Sequence, residues 1–145
     1  MNRILHPTDF SRASAPAFAR ALTEARQSRG ELLLVHVLAP EIPVMGEGYL
    51  TPAVYDQMSK SARAWAQKQM DRLLAKAKAA RVRARGMLLE GAAHEQIVRA
   101  AKRQRAALIV IGTHGRTGVA RFFVGSVAAR VTATAPCPVL TVRGR

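Results

Sequence analysis

The chain has 145 residues, enough for one domain around a single core, and 49% of them are hydrophobic, which excludes a disordered chain. No apolar run approaches the ~20 residues of a membrane-spanning helix, and the opening MNRILHPTDF lacks the apolar stretch of a secretory signal, so a soluble, cytoplasmic protein is the expectation. The 23 Lys and Arg residues outnumber the 9 Asp and Glu, and the resulting charge of +14 draws polyanions in general without specifying a fold.

RILHP at 3–7 reads as a short strand, and TDFSRAS after it as a turn with Asp9, Ser11 and Ser14 as candidate helix caps. A helix is expected over 12–28, with Phe18, Leu22 and Ala25 on its apolar stripe, Pro16 in its first turn and Gly30 as its stop. ELLLVHVL at 31–38 is a nearly continuous apolar run, the pattern of a strand covered on both faces as in a parallel sheet. His36, inside that run, and His6, at the end of the first strand, read as structural histidines. The prolines and glycines of 39–52 mark a loop.

A long helix is expected over 53–80, with Met58, Ala62, Trp65, Ala66, Met70, Leu73 and Ala77 inward and Lys68, Arg72 and Lys76 on a solvated face. VRARGMLLEG at 82–91 reads as a strand. Its alternating Arg81, Arg83 and Arg85 suit a sheet edge guarded by charge. A helix at 93–104 turns Ile97, Val98 and Ala101 inward, and AALIVIG at 106–112 is another buried strand. A glycine-rich stretch, GTHGRTGVARFFVGS at 112–126, leads into a helix at about 126–134, with Ser126 as its expected cap. CPVLTVR closes the chain as a fifth strand. Cys137 is the only cysteine, so no intrachain disulfide forms, and it reads as a small buried residue rather than a reactive thiol.

Strands alternating with helices imply an α/β fold: a single domain over 1–145, with an open parallel five-stranded sheet and helices on both faces. Ligands of such sheets bind beyond the carboxyl ends of the strands, where strand order reverses. The glycine stretch lies at one such end and runs into a helix N-terminus, whose unpaired N–H groups and partial positive charge favour phosphate. Glycines let an anion approach the backbone. The physical reading is a phosphate cradle, with Arg116 and Arg121 adding charge. No P-loop signature and no G-x-G-x-x-G after the first strand occurs.

The spacing Gly112-x2-Gly115-x9-Gly125-Ser126 resembles the G-2x-G-9x-G-[S/T] motif of the nucleotide-binding branch of the universal stress protein family. ILHPTDFS, LLLVHV and APCPVLTVR are similar to that family's first, second and last strands. The resemblance implies a Rossmann-like, adenine-nucleotide α-hydrolase-like fold that binds ATP with Mg²⁺, hydrolyses it weakly or not at all, and acts as a nucleotide-dependent regulatory or sensor module in stress response. It places Pro7, Thr8 and Asp9 at the loop wall, with Asp9 near the ribose and phosphates and able to help hold Mg²⁺ through the nucleotide. Val37 falls at the adenine, and Gly112, Gly115, Gly125 and Ser126 fall at the ribose and phosphates. His114, Arg116 and Val127 fall at flanking positions. It also implies a homodimer through the last strand. Phe10 departs from the pattern, because the family often has Gly there, and its bulk is expected to narrow the entrance.

Two alternatives stand beside this reading. One is a family member that prefers AMP or cyclic AMP, since adenine contacts are shared. The other is a nucleic-acid-binding protein, supported by the charge and by 13 basic residues between 60 and 105, but without interleaved aromatics for base stacking. A Ser126–His114–Asp9 hydrolytic triad is disfavoured because no G-x-S-x-G elbow surrounds the serine. The histidines at 6, 36, 94 and 114 show no metal-ligand spacing.

Overall fold

Beyond Leu5 and Ile109 the two central strands of the sheet have no ladder pair in common, and the fold is arranged around that gap. The computed structural model describes residues 1–39, 51–113 and 125–144. Its strands are β1 (Arg3–Pro7), β2 (Glu31–Leu38), β3 (Arg83–Glu90), β4 (Leu108–Gly112) and β5 (Val139–Val142). Its helices are α1 (Ala15–Gln27), α2 (Pro52–Ala79), α3 (Ala93–Gln104) and α4 (Ser126–Thr134). All five strands are parallel, in the order β3-β2-β1-β4-β5, so the chain winds outward one way from β1 and the other way from β4.

The apolar strand runs are buried from both sides. Ile4, Leu32, Leu34 and Val110 pack on one face with Phe18 and Ala21 of α1 and Met70 of α2. Leu5, Leu33, Val35, Ile109 and Ile111 pack on the other with Ile97 and Ala101 of α3 and Val131 of α4. Each large side chain so removed from water contributes roughly 1.5–3 kcal/mol of hydrophobic stabilisation.

Element ends differ from the sequence expectation where backbone groups are already committed. The first helix opens with a separate 3-10 turn, Arg12–Ser14, because Pro16 has no N–H and fits only the first turn of α1. Strands β3 and β4 start late because Val82 and Ala106 spend their N–H groups on Ala77 and Ala101, closing the preceding helices. Arg81 therefore lies in a turn rather than on the strand with Arg83 and Arg85, although β3 is an edge strand as expected. Along α2, Ala66, Met70 and Ala77 are buried, but Met58 (40% exposed) and Trp65 (42% exposed) are not core residues. With 28 residues at ~1.5 Å each, α2 outruns the eight-residue strand at ~3.3 Å each on which it lies.

His6 sits where β1 and β4 part. The two strands register only Ile4 with Leu108 and Leu5 with Ile109. One step further, the fully buried imidazole bonds the Val110 carbonyl through Nδ1 at 2.8 Å. A carbonyl can only accept, so Nδ1 carries the proton. Nε2 is buried with no hydrogen-bond partner among the described residues. Burial lowers the His6 pKa from 6.5 to about 4, against the opposing pull of the Val110 bond and the Asp9 charge.

Because the folded chain resists protonating His6, its contribution is complete above pH 6.5 and is lost as pH falls to about 4. The loss amounts to about 3 kcal/mol. In His6→Asn, whose amide nitrogen reproduces the Nδ1 donor, urea unfolding at about pH 7.5 and about pH 4 should differ by roughly 3 kcal/mol less than in the wild type. An equal acid loss in both proteins would remove His6 as its cause.

Candidate functional site

At the carboxyl end of the sheet, the parting of β1 and β4 leaves a cleft of about 210 Å³. One wall is the turn after β1. Thr8 continues the sheet by donating its N–H to the Val35 carbonyl (2.8 Å), then turns its hydroxyl inward to within 3.3 Å of the Ser14 hydroxyl. Asp9 accepts the Ser11 N–H on Oδ1 (2.9 Å), which closes an Asx turn and holds the carboxylate at the cleft. Phe10 adopts φ of 63°, a left-handed conformation that glycine takes without strain. Its ring stacks on His36 (centroids 4.4 Å apart) and meets Trp65 edge-on (5.7 Å). His36 is half-buried and lines the cleft, donating from Nδ1 to the Thr8 carbonyl at 2.8 Å. It is thus a cleft histidine and not a core one, because the strand end that carries it projects past the covering helices. Phe10 is not among the lining residues, but its ring packs against His36, which is.

The opposite wall comes from β4 and α4. Thr113 donates its N–H to Val142 and accepts the Gly125 N–H at 2.7 Å, so the strand end and the helix start are tied together. A Cβ on Gly125 would lie 2.9 Å from the Thr113 carbonyl oxygen. The glycine is needed for this close approach and not for a positive φ, since its φ is −51°. Gly125 is the cap of α4, and Ser126 occupies the first helical position with no side-chain capping bond, which corrects the expectation that Ser126 caps the helix. The first bond within α4 runs from Ala129 N–H to Gly125. The N–H groups of Ser126, Val127 and Ala128 lie ahead of it, at the cleft.

The cleft thus brings together Pro7, Thr8, Asp9, Val37, Gly112, Gly125, Ser126 and Val127 of the expected site. His114, Gly115 and Arg116 lie outside the described residues. Sequence reasoning missed Ser14, His36, Thr113 and the start of α3, where Ala93 and Ile97 also line the cleft. The β3–α3 turn was open to detection, since it too sits at the carboxyl end of a strand. Ser14 is held within the turn after β1 by bonds to Ser11 and Thr8, in a geometry that hydrophobic spacing does not announce.

A model of the Universal stress protein family matches residues 1–143. The chain belongs to the universal stress protein family. It is 35% identical over 140 residues to a universal stress protein of Thermus aquaticus, covering 97% of each chain. It is 32% identical over 143 residues to one from Methanocaldococcus jannaschii, covering 97% of this chain and 81% of that one. Among solved structures it resembles the universal stress protein UspA from Lactobacillus plantarum, with a TM-score of 0.84 and 26% identity over 98% of this chain and 97% of the other. As a universal stress protein it has the family's five-stranded parallel sheet, and its cleft lies at the switch point of that sheet. Among the described residues no helix is long and apolar enough to cross a membrane.

Cys137 is half-buried against the α3/α4 side of the core, and burial raises its thiol pKa, so it fits a packing role better than a nucleophilic one.

Proposed function

We propose that this universal stress protein binds an adenine nucleotide in the cleft, with ATP and Mg²⁺ as its physiological ligand, and acts as a nucleotide-dependent regulatory module rather than a catalyst. The observation that carries the reading is the Gly125–Thr113 contact, which brings bare backbone to the start of a helix whose first N–H groups face the cleft. A phosphate group fits that arrangement by charge and by space. Val37 and Ile97 give the cleft an apolar side for a base, and Asp9, the carboxylate among the described residues lining it, would help hold a phosphate-bound Mg²⁺. When bound, Mg²⁺ neutralises phosphate charge. The roles of Pro7, Thr8, Gly112, Ser126 and Val127 in holding ribose and phosphates, and those of His114, Gly115 and Arg116, belong to the same proposal.

Solved proteins of this fold hold related ligands: a universal stress protein with cAMP (TM-score 0.71, 23% identity), one from Archaeoglobus fulgidus with dAMP (0.68, 24%) and one from Arabidopsis thaliana with AMP (0.71, 20%). At these identities the likeness is one of fold, so the choice among ATP, AMP and cyclic AMP rests on the phosphate cradle. Little hydrolysis is expected. Asp9 accepts the Ser11 N–H on Oδ1 and His36 donates its Nδ1 N–H to the Thr8 carbonyl, and we read both as groups that shape and bind at the cleft wall.

Calorimetric titration of nucleotide-free protein at low and high salt should give one ATP per chain with Mg²⁺, with AMP and cyclic AMP weaker. Gly125→Val should lower the affinity by at least about tenfold, because its Cβ would lie 2.9 Å from the Thr113 oxygen and must push the start of α4 out of place; circular dichroism of the variant checks that the rest of the fold is kept. Heat that vanishes with salt and ignores the substitution would mean only a polycation meeting a polyanion.

Strand β5 is the other open edge of the sheet, and its Val139, Leu140 and Val142 are only half-buried. We read it as the seam between two copies of the chain, since an apolar edge of this kind otherwise pairs indiscriminately. Val142→Lys should convert a dimer to a monomer in sedimentation velocity; an unchanged profile would move the seam elsewhere.

A further inference from the structure

Three exposed arginines stand at the end of the sheet opposite the cleft. Helices α1, α2 and α3 end in the same way. Each closes with a residue in the left-handed conformation, and each time that residue is arginine: Arg29 (φ 49°), Arg81 (φ 58°) and Arg105 (φ 51°). The residue after each donates its N–H five residues back, from Gly30 to Ala25, Val82 to Ala77 and Ala106 to Ala101, which is the Schellman closure. Glycine is the usual occupant of that position, and a side chain there is strained. Charge complementarity with the helix dipole does not account for the arginines, because Arg26, Lys78 and Lys102 already stand in the last turns of the three helices.

These three turns precede β2, β3 and β4, so the parallel topology sets them all at the amino end of the sheet, those before β3 and β2 adjacent and that before β4 one strand further on, across β1. All three arginines are exposed, and none has an ion pair among the described residues. The carboxylates nearest this end are already committed. Glu31 is buried between Arg3 and Arg85, and Glu24 pairs with Arg20. Asp9, Glu90 and Glu95 lie at the cleft end, beside the carboxyl ends of β1 and β3 and the start of α3.

We infer that the amino end of the sheet is a second binding surface, one that takes the phosphate backbone of double-stranded nucleic acid. This goes beyond the nucleotide cleft and does not depend on it. Three guanidinium forks on neighbouring turns suit phosphate oxygens, which they can grip in bidentate fashion. The turn residues around them are Ser28, Gly30, Ala80 and Ala106, with no aromatic ring to stack an unpaired base, so a single strand is disfavoured. Among the described residues Met1, beside Arg83, is the one large exposed apolar side chain at this end, the others being in the first half of α2, and a single methionine does not make the apolar face that an interfacial membrane contact needs.

The test is binding of a labelled, random-sequence DNA duplex across a salt series, with the full chain and with Arg29→Gly/Arg81→Gly/Arg105→Gly. Glycine relieves the left-handed strain, so the variant should melt at or above the wild-type temperature, and Asn, which also tolerates this conformation, serves as a second replacement. The pole variant should bind the duplex at least about tenfold more weakly at low salt, and its plot of log affinity against log salt should be shallower by about 2 to 3, the loss of three phosphate contacts. Its Mg-ATP titration should match the wild type. Lys60→Gln/Lys68→Gln/Arg72→Gln, which removes as much charge from α2, should weaken binding far less. An equal loss in that control, an undiminished pole variant, or pole-dependent binding to phosphatidylserine vesicles without binding to the duplex would each overturn the assignment.

Discussion

Strands β1 and β4 share two ladder pairs and then diverge, and most of what distinguishes the two ends of this molecule follows from that divergence. A parallel sheet that winds outward from a central pair must open a crevice at the carboxyl end of that pair. The backbone groups uncovered there need partners, and the chain supplies them individually: His6 for the Val110 carbonyl, His36 for the Thr8 carbonyl, and the Gly125 N–H for Thr113. These bonds brace the crevice open while leaving its helix N–H groups turned toward whatever enters. The buried imidazole is the costly member of the set, since it is stable only in its neutral form and leaves Nε2 without a hydrogen-bond partner among the described residues.

The two ends of the sheet thus have opposite chemistry. Among the described residues, the cleft at the carboxyl end presents backbone N–H groups, the Asp9 carboxylate, hydroxyls and the His36 ring. At the amino end three helices finish in left-handed turns whose backbone is held by the Schellman bonds, and arginine side chains project from them into solvent. Local strain at Phe10 and at the three arginines is carried by strand pairing and by a core built from Leu5, Leu33, Leu34 and Ile109, each fully buried.

Much of this architecture was legible in the sequence. The buried strands announced themselves as short apolar runs, and α3 and α4 by their period and flanking turns, because there the local pattern and the tertiary environment agree. Agreement failed where an element extends beyond its partner. Met58 and Trp65 carry the helical period of a core stripe, yet α2 is longer than the sheet beneath it. His36 looked internal because the strand around it is apolar, but only its first half is covered on both faces. Ser126 has the composition of a cap without the geometry, since Gly125 had to occupy that place to approach Thr113. The cleft's first and last walls were readable from Asp9 and the glycine spacing. The contribution of Thr113 depends on contacts with Gly125 and Val142, distant in sequence, and that of Ser14 on the fold of the turn after β1, and periodicity is blind to both.

The most direct test of the central claim is the backbone amide spectrum of the isotopically labelled protein, followed by NMR as Mg-ATP is added. The account predicts that the largest shifts fall on the amides of Ser126, Val127 and Ala128 and on the turn at Thr8 and Asp9, while those of Arg29, Arg81 and Arg105 stay in place. Shifts concentrated on the three arginine turns, with the start of α4 unmoved, would contradict it and assign the nucleotide to the charged end of the sheet.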